Sequence, residues 1–398
     1  MSASSVISNR KTAHASHRWL LFRGFMLTGM ITTLLGPILP FLASRWRLDD
    51  SRSGLLFTLQ FGASMAGVLL SGYILGRRGP RICLVVGYAC IGVGVTALAA
   101  SSWTAGMFFI ACYGFGLGWS IPTTNLLIAE LNPDRRAAAL NTLNLAWGLG
   151  AVALPVVATG FLKVERVPAM LFGLGATSLL ICAMFTRVPA WNWKSLAAKL
   201  PAHDGVRQVS SQTSSLVILG MLFFLYVGTE NSFGGWTASF ARRIHAGTQA
   251  DWALVPSFFW AALLLGRAVA PFVLRRMHEI VLARTGLFLT VAGAIVVLSS
   301  SRYASLTAGV ALAGFGLSSI FPITISQFSY RFGQSASRFV GGMFALAGLG
   351  GATLPWLVGF TSHRLGSLRM GLWIPALSAF VMWIAYLCWG ERHEIKGV

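Results

Sequence analysis

Long apolar segments alternate with short polar connectors along most of the chain. Twelve segments lie at about 19–43, 54–76, 82–100, 104–129, 140–162, 167–186, 214–240, 252–274, 281–299, 303–328, 339–361 and 368–390. A helix needs about 20 apolar residues to cross a bilayer. The segments lack the apolar/polar alternation of barrel strands, so the paired backbone that hydrocarbon demands must be helical. The pattern predicts an all-α membrane protein with twelve transmembrane helices.

The widest polar interruption, 187–213, divides these segments into six and six. We therefore expect an N-terminal six-helix bundle at 1–186, a cytoplasmic linker at 187–213 and a C-terminal six-helix bundle at 214–398.

An internal repeat supports two pseudo-symmetric halves. A shift of 200 residues superposes four blocks in one register: Gly114–Leu117 on Gly314–Leu317, Pro122 on Pro322, Gly148–Gly150 on Gly348–Gly350, and Leu154–Pro155 on Leu354–Pro355. Parallel repeats of this kind place the substrate between the halves near mid-membrane. The matched prolines predict helix kinks at equivalent places.

Composition agrees with a membrane protein, because 55% of residues are hydrophobic and only 11% are charged, against roughly 25% in soluble domains. The net charge of +20 comes from bases in short connectors, which is typical of the positive-inside rule rather than of nucleic-acid binding. With the N-terminus inside, the inner side has roughly twice as many Lys and Arg residues as the outer side. We expect a multi-pass inner (plasma) membrane protein with both termini in the cytoplasm.

Glu230 is the one acidic residue, of eleven, that falls deep inside an apolar segment. A carboxyl group at that depth costs several kcal/mol unless it is neutral, paired or hydrated. Because burial favours the neutral form, Glu230 is a candidate for cation coupling as a proton carrier. The alternative is a structural carboxyl group that is hydrogen-bonded to a neighbouring helix.

Amides and tryptophans within the spans are candidates for substrate binding, since amides hydrogen-bond hydroxyl groups and indole rings stack on sugar rings. The candidates are Asn125, Asn231, Trp236, Gln327, Asn144, Gln60, Trp260 and Trp119. Trp236 is favoured because it follows Glu230 by six residues and adjoins Gly234 and Gly235. The alternatives are hydrogen bonds between helices for the amides and lipid-facing positions for the tryptophans.

The connector that runs from Gly72 to Arg81 resembles the cytoplasmic signature of the major facilitator superfamily, although Gly76 stands where that signature carries an acid. The resemblance implies the major facilitator fold and a gating role for Gly72, Gly76, Arg77 and Arg81. We expect the two glycines to permit close helix packing or tight turns.

Within that superfamily the chain resembles the fucose permease-type sugar symporters and the sodium-dependent glucose transporters. The resemblance rests on Leu39–Pro40, Asn125, Leu140–Asn144 and Tyr226–Trp236. Gly36 and Ile121 stand where the fucose permease type has membrane acids, so its coupling scheme does not transfer directly.

Arg267 is the one base inside a span, near its predicted cytoplasmic end. There it is expected to reach the interface or bond helix carbonyls as a gating element. Since no second deep base exists, a neutral solute is favoured. No nucleotide-binding loop, metal-ligand cluster or catalytic constellation is present in the sequence, so neither an enzyme nor a cofactor or metal site is predicted.

The sequence thus favours a secondary active transporter that moves a small neutral solute, a monosaccharide, by cation (proton) symport with alternating access. The expected partners are this solute, protons or sodium, and the lipid bilayer, with the chain as a monomer. One alternative is a proton-coupled efflux antiporter for lipophilic or cationic drugs. Another is a membrane sensor without transport activity.

Overall fold

The computed structural model describes residues 3–132, 135–161, 166–188, 213–332 and 336–394, and all regular structure within them is helical. The helices are α1 (Ala3–Thr32), α2 (Leu35–Trp46), α3 (Asp50–Arg78), α4 (Pro80–Leu98), α5 (Trp103–Leu131), α6 (Arg136–Thr159), α7 (Val167–Arg187), α8 (Thr213–Arg243), α9 (Gln249–Val273), α10 (Glu279–Ser299), α11 (Tyr303–Leu317), α12 (Ile320–Phe332), α13 (Ala336–Leu365), α14 (Leu368–Gly371) and α15 (Trp373–Glu394). The predicted linker at 187–213 lies outside the described residues except for its ends.

The described part of the chain has 11 helices long and apolar enough to cross a membrane, or up to 12 when a bent pair is counted as one span. That pair is Arg18–Thr32 and Leu35–Trp46, which meet at 44°. The prediction of twelve transmembrane helices is confirmed in this sense, and the first of them is broken in the middle.

Prolines explain where two spans break. Pro37 has no N–H for the carbonyl of Thr33, which accepts from Gly36 N at 3.2 Å instead; α1 and α2 meet at this point. Likewise, Pro322 has no N–H for the carbonyl of Ser318, which lies in the break between α11 and α12. At Pro322 the helix is interrupted over Ser318 and Ser319, whereas Tyr303–Phe332 still forms one membrane span.

At the equivalent Pro122 the helix α5 continues without a break. The carbonyl of Gly118, which Pro122 leaves without its helical donor, accepts a hydrogen bond from Ser71 Oγ at 3.4 Å. Ser71 Oγ also donates to the carbonyl of Val68 at 2.9 Å, so the bond to Gly118 is the weaker of the two. The two related prolines have different structural effects.

The chain forms two compact units. One comprises Met1–Thr32, Ala66–Ala151 and Pro168–Ala202, and the other comprises Thr33–Met65, Val152–Val167 and His203–Val398. We call them unit 1 and unit 2. Their boundaries cut across the predicted bundles, because two segments of the N-terminal half belong to unit 2. The two six-helix bundles stay a prediction.

Close helix crossings account for the repeated glycines. A Cβ added at Gly116 of α5 would overlap backbone of α4 at Gly87, and one added at Gly316 of α11 would overlap backbone of α10 at Gly286. Gly116 and Gly316 are equivalent in the 200-residue repeat. Small residues let helix backbones approach closely in membranes. The same close crossing therefore occurs in both halves of the chain.

A second matched feature joins the third and last helices of each half. Arg81 of α4 donates to the carbonyl of Thr186 near the end of α7. Arg284 of α10 donates to the carbonyls of Tyr386 (3.1 Å) and Leu387 (3.0 Å) in α15. Thr186 and Tyr386 are 200 residues apart in the sequence. These guanidinium groups satisfy carbonyls close to helix C-termini, where intrahelical donors run out.

Candidate functional site

A buried polar cluster in unit 2 has Glu230 at its centre. Tyr226 lies one turn before Glu230 on α8, so both side chains share one helix face. Tyr226 Oη donates to Glu230 Oε1 at 3.0 Å. From α9, Arg267 Nη2 donates to the same Glu230 oxygen at 3.3 Å and to Tyr226 Oη at 3.1 Å. Glu230, only 8% exposed, is therefore held by a counter-ion and a phenol.

Aromatic rings line one side of this cluster. The ring of Phe321 lies 5.3 Å from that of Tyr226 and 5.4 Å from that of Phe223, and the ring of Phe344 lies 6.2 Å from that of Phe321. Such apolar surroundings strengthen the attraction between the carboxylate and the guanidinium group. They also make an unpaired charge at this place costly.

Two hydrogen-bonding groups near the cluster are buried and unused. Arg267 Nε and Thr229 Oγ1 have no hydrogen-bond partner among the described residues. Thr229 directly precedes Glu230 in the sequence, and Arg267 is hydrogen-bonded to Glu230. Because unsatisfied buried donors are unfavourable, the two groups mark places where a hydroxyl group of a ligand, or a water molecule, would gain hydrogen bonds.

The predicted amides divide between the units. Asn231 and Gln60 lie in unit 2 with Glu230, whereas Asn125 and Asn144 lie in unit 1. The Nδ2 groups of Asn125 and Asn231 donate to carbonyls one turn earlier in their own helices, at 2.9 Å and 2.8 Å. Gln60 is buried and Asn144 is exposed.

Gln327 is engaged elsewhere in unit 2. Its Nε2 donates to Glu279 Oε2 at 3.1 Å, and the adjacent Ser326 Oγ donates to Glu279 Oε1 at 3.0 Å. These bonds join α12 to the first residue of α10. They match the alternative considered for Gln327, a hydrogen bond between helices, and the structure does not bring Gln327 to the Glu230 cluster through any described bond.

Trp236 and Trp260 are both buried in unit 2. Trp236 Nε1 donates to the carbonyl of Pro355 in α13 at 2.9 Å, and its ring lies 6.1 Å from that of Phe57. Trp260 packs so tightly on α8 that a Cβ at Gly234 would lie 2.7 Å from its ring. In this conformation both indoles serve packing between helices.

Trp119 lies in unit 1, where it forms an apolar cluster with Leu75 and Cys83. Its Nε1 is buried and has no hydrogen-bond partner among the described residues. The contacts are those of a core tryptophan, and its substrate-binding role stays a prediction.

The predicted gating residues span the end of α3 and the start of α4: Gly72, Gly76 and Arg77 lie in α3, and Arg81 lies in α4. The close packing expected at Gly72 and Gly76 is wrong, since a Cβ at either position would meet no atom within 4 Å. The glycine that the turn requires is Gly79, whose φ is 79°, a value that side chains disfavour. Arg77 stacks 4.1 Å above the ring of Tyr73, and Arg81 binds α7 as described above.

A second polar cluster of unit 2, which sequence reasoning missed, joins α3, α8 and α13. Asp50 accepts from both terminal nitrogens of Arg243, one of them at 2.7 Å, and from Ser362 Oγ. We call this group, Asp50, Arg243 and Ser362, the clasp. A cavity of about 490 Å³ lies beside it, lined among others by Pro40, Ser53, Trp236, Ser239 and His245. No sequence signal paired Asp50 with Arg243.

The family model of the Major Facilitator Superfamily matches residues 21–348. The chain belongs to this superfamily. It is 23% identical to the glucose/mannose transporter GlcP of Bacillus subtilis over 85% of this chain and 86% of that protein. It is 24% identical to a glucose/galactose transporter of Brucella abortus, with 86% of each covered. With the sodium-dependent glucose transporter 1 of Danio rerio it shares 25% identity over 91% of this chain and 68% of the relative.

Solved structures have the same fold at lower identity. A bacterial homologue of the human lysosomal transporter Spinster, inward-facing and occupied, has a TM-score of 0.76 at 13% identity and covers 94% of this chain and 96% of its own. The xylose transporter XylE from E. coli, inward open, has a TM-score of 0.71 at 14% identity, with 92% and 95% covered. The predicted major facilitator fold is confirmed, and the protein is a multi-pass membrane transporter rather than an enzyme.

Proposed function

We propose that the protein is a secondary active transporter that moves a small neutral monosaccharide together with a proton by alternating access. The names of the relatives, which include glucose, mannose and galactose transporters, support the solute class. The observation that carries the coupling part is the Glu230–Tyr226–Arg267 cluster, a buried carboxylate with a counter-ion that keeps an unused donor.

In the proposed cycle, one proton and one sugar molecule bind before the protein changes from the outward-open to the inward-open state. The proton adds to the carboxylate of Glu230 and removes the ionic attraction to Arg267. The guanidinium donors are then free for sugar hydroxyl groups, beginning with the Nε that has no partner among the described residues. After the sugar leaves, Glu230 loses the proton to water on the inner side and pairs with Arg267 again. An empty, unprotonated carrier is thereby neutral at this site and able to return.

The test is uptake of radiolabelled D-glucose, D-mannose and D-galactose into proteoliposomes, with and without an imposed pH gradient. We expect accumulation driven by the gradient in the wild type. Glu230→Gln should lose accumulation and keep sugar exchange at zero gradient, because glutamine resembles the protonated carboxyl group in shape. Undiminished accumulation by Glu230→Gln would refute the coupling role.

Glu279→Gln is the matched control. Glu279 also accepts side-chain hydrogen bonds within the membrane protein, from Ser326 and Gln327, but it has no cationic partner among the described ion pairs. It should keep gradient-driven accumulation. Replacement of sodium by choline in the same assay distinguishes proton coupling from sodium coupling. A full loss of uptake without sodium would show that sodium, and not a proton, is the coupling cation.

The efflux alternative is opposed by one feature of the site. Arg267 lies 3.3 Å from Glu230, so a cationic drug would have to displace a resident cation. Thermal unfolding in detergent against hexoses, pentoses and lipophilic cations separates the two functions. A ligand at ten times its dissociation constant adds about 1.4 kcal/mol of stability. Stabilisation by lipophilic cations alone would favour the antiporter.

The arrangement in the cell is part of the proposal. The distribution of Lys and Arg between connectors supports insertion in the inner membrane with both termini in the cytoplasm. The chain is proposed to act as a monomer, with its own residues forming the whole site.

A further inference from the structure

Three of the five cysteines lie on or against helix α4 in unit 1. Cys90 belongs to α4, Cys112 to α5 and Cys182 to α7. Cys112 Sγ donates to the carbonyl of Cys90 at 3.5 Å, and Cys182 Sγ donates to the carbonyl of Val85 at 3.3 Å. The thiols of Cys90 and Cys112 are also in hydrogen-bonding contact with each other. We call Cys90 and Cys112 the dithiol.

A close crossing of α4 and α5 brings the dithiol together. A Cβ added at Gly94 of α4 would lie 2.8 Å from the backbone nitrogen of Tyr113, and one added at Gly116 of α5 would lie 2.8 Å from the backbone nitrogen of Ile91. Packed helix axes are ordinarily about 8–10 Å apart, and contact between backbones requires a shorter separation. Cysteine side chains are short, so two of them meet only where backbones approach in this way.

The dithiol lies on the side of this crossing that faces lipid. Both cysteines are half-buried, within helices long and apolar enough to cross the membrane. Val93, three residues after Cys90, is 50% exposed, and Phe108, four residues before Cys112, is 68% exposed. Residues three or four apart share a helix face. Apolar side chains exposed within a span contact lipid, so an apolar reagent reaches both thiols from the bilayer.

We propose that Cys90 and Cys112 are a modification site, a dithiol that a lipid-soluble disulfide oxidises to a disulfide bond between α4 and α5. The sulfur of one cysteine attacks the small disulfide, which forms a mixed disulfide and releases one reagent thiol. The sulfur of the other cysteine then attacks the mixed disulfide and releases the second reagent thiol. Two cysteine sulfurs are oxidised, and the reagent is reduced to two thiols that carry the two cysteine protons.

The second step distinguishes a dithiol from two separate thiols. It takes place within one molecule and between sulfur atoms that already lie in contact, so it needs no second encounter. A lone cysteine would stop at the mixed disulfide. The inference goes beyond the proposed function and does not depend on which solute or cation is carried.

The test uses a chain with Cys83→Ala, Cys182→Ala and Cys388→Ser, so that only the dithiol remains. The reagent is dithiodipyridine, an apolar disulfide whose released thiopyridone is measured by absorbance. In detergent, one equivalent of reagent should release two equivalents of thiopyridone, and mass spectrometry of the intact protein should show no pyridyl adduct. Further replacement of Cys90 or Cys112 by serine should leave a stable adduct and a single equivalent of thiopyridone.

A chain that keeps Cys112 and Cys182 is the matched control, with Cys90→Ser, Cys83→Ala and Cys388→Ser. Its two cysteines are half-buried and each bonds a carbonyl of α4, but the structure describes no contact between their thiols. It should release the second thiopyridone at least about tenfold more slowly than the dithiol chain. Equal rates in the two chains would overturn the proposal, because helix flexibility would then explain the bond.

The approach from lipid is tested with a charged reagent. Dithiobis-nitrobenzoate is an anionic disulfide, and it should react with the dithiol chain at least about tenfold more slowly than dithiodipyridine, because charges are excluded from hydrocarbon. Both reagents are compared on a thiol of a short soluble peptide to correct for intrinsic reactivity. Equal corrected rates would refute the approach from lipid.

The wild type keeps the test independent of the substitutions. Each variant is checked for one symmetric peak in size-exclusion chromatography, and the reaction is repeated on the wild type with its cross-linked peptides located by mass spectrometry. A peptide that joins Cys90 to Cys112 is expected. Cross-links between other cysteines in its place, or a stable adduct on Cys90 or Cys112 without a bond between them, would overturn the dithiol.

Discussion

Two acid–arginine pairs each have one member on helix α8, and the surroundings of the two pairs differ. Glu230 lies in the middle of α8, with Arg267 of α9 and Tyr226 as partners and aromatic rings beside them. Arg243 lies at the end of α8 and pairs with Asp50 at the start of α3. The two acids are similarly buried, with 11% and 13% of their side chains exposed, so the difference lies in the arginines: Arg243 is 44% exposed and Arg267 is 26% exposed. The first pair depends on mutual neutralisation, whereas the second can exchange its partner for water.

The difference predicts that loss of one partner destabilises the first pair more than the second. Removal of one partner from a buried pair leaves an uncompensated charge and costs about 3–5 kcal/mol. Loss of an exposed pair costs about 0.2–1 kcal/mol. A buried pair is therefore a suitable place for a step that requires a cation, since a cation must neutralise the acid once its partner leaves. The pair with the more exposed arginine can exchange that partner for water at little cost.

Arg267→Gln should have the largest effect on stability, a loss of about 3 kcal/mol in detergent unfolding, because Glu230 would remain buried without its counter-ion. The double variant Glu230→Gln with Arg267→Gln should recover at least half of this loss. Equal destabilisation of the single and double variants would show that Arg267 stabilises the fold by packing and not by charge.

Gly36→Ala sharpens the comparison in the region where α2 crosses α8, because packing counts for more than charge there. The added methyl group would overlap the carbonyl of Gly234, and overpacking costs about 1–3 kcal/mol. Gly72→Ala is the control, because its Cβ would meet no atom within 4 Å. It should be neutral or up to about 1 kcal/mol stabilising, as alanine favours helix. Thermal unfolding of both variants is the measurement. Equal stability of Gly36→Ala and Gly72→Ala would mean that the crossing of α2 and α8 does not require glycine at position 36.

Trp236→Phe removes the N–H that binds the carbonyl of Pro355 and retains most of the ring. We expect a loss of about 1 kcal/mol. Trp19→Phe, at a position that is 68% exposed, should cost nothing measurable in the same unfolding assay. If Trp236→Phe also costs nothing, then the hydrogen bond between α8 and α13 does not contribute to the stability of the protein.

Asp50→Asn should have the smallest effect, below about 1 kcal/mol at low ionic strength. The difference from wild type should vanish in 1 M salt, where the Debye length is about 3 Å. The measurement is unfolding at 0.05 M and 1 M sodium chloride. A loss that is large or independent of salt would place the clasp in the same class as the buried pair and would break the comparison.

Part of the site was accessible from sequence. Glu230 was identified because an acid deep in an apolar segment is rare, and the one-turn spacing to Tyr226 was visible in the same motif. Its partner Arg267 was not identified, because α9 approaches α8 only in the folded chain. The sequence had placed Arg267 near the membrane interface. The helix-to-helix bonds of Gln327 and Trp236 could not be predicted either, because an amide or indole within a span is equally suited to a ligand and to a neighbouring helix. Their substrate-binding roles stay predictions.

The sequence by itself determined the number and length of the spans, the all-helical fold and the internal repeat. These properties follow from local composition, because a helix in hydrocarbon satisfies its own backbone and needs only enough apolar residues. The tertiary structure decided which polar side chains meet. Asp50 and Arg243 are 193 residues apart in the chain, and nothing local relates them. Side-chain pairing depends on helix crossings, and the glycines that permit those crossings show their partners only when the helices are packed.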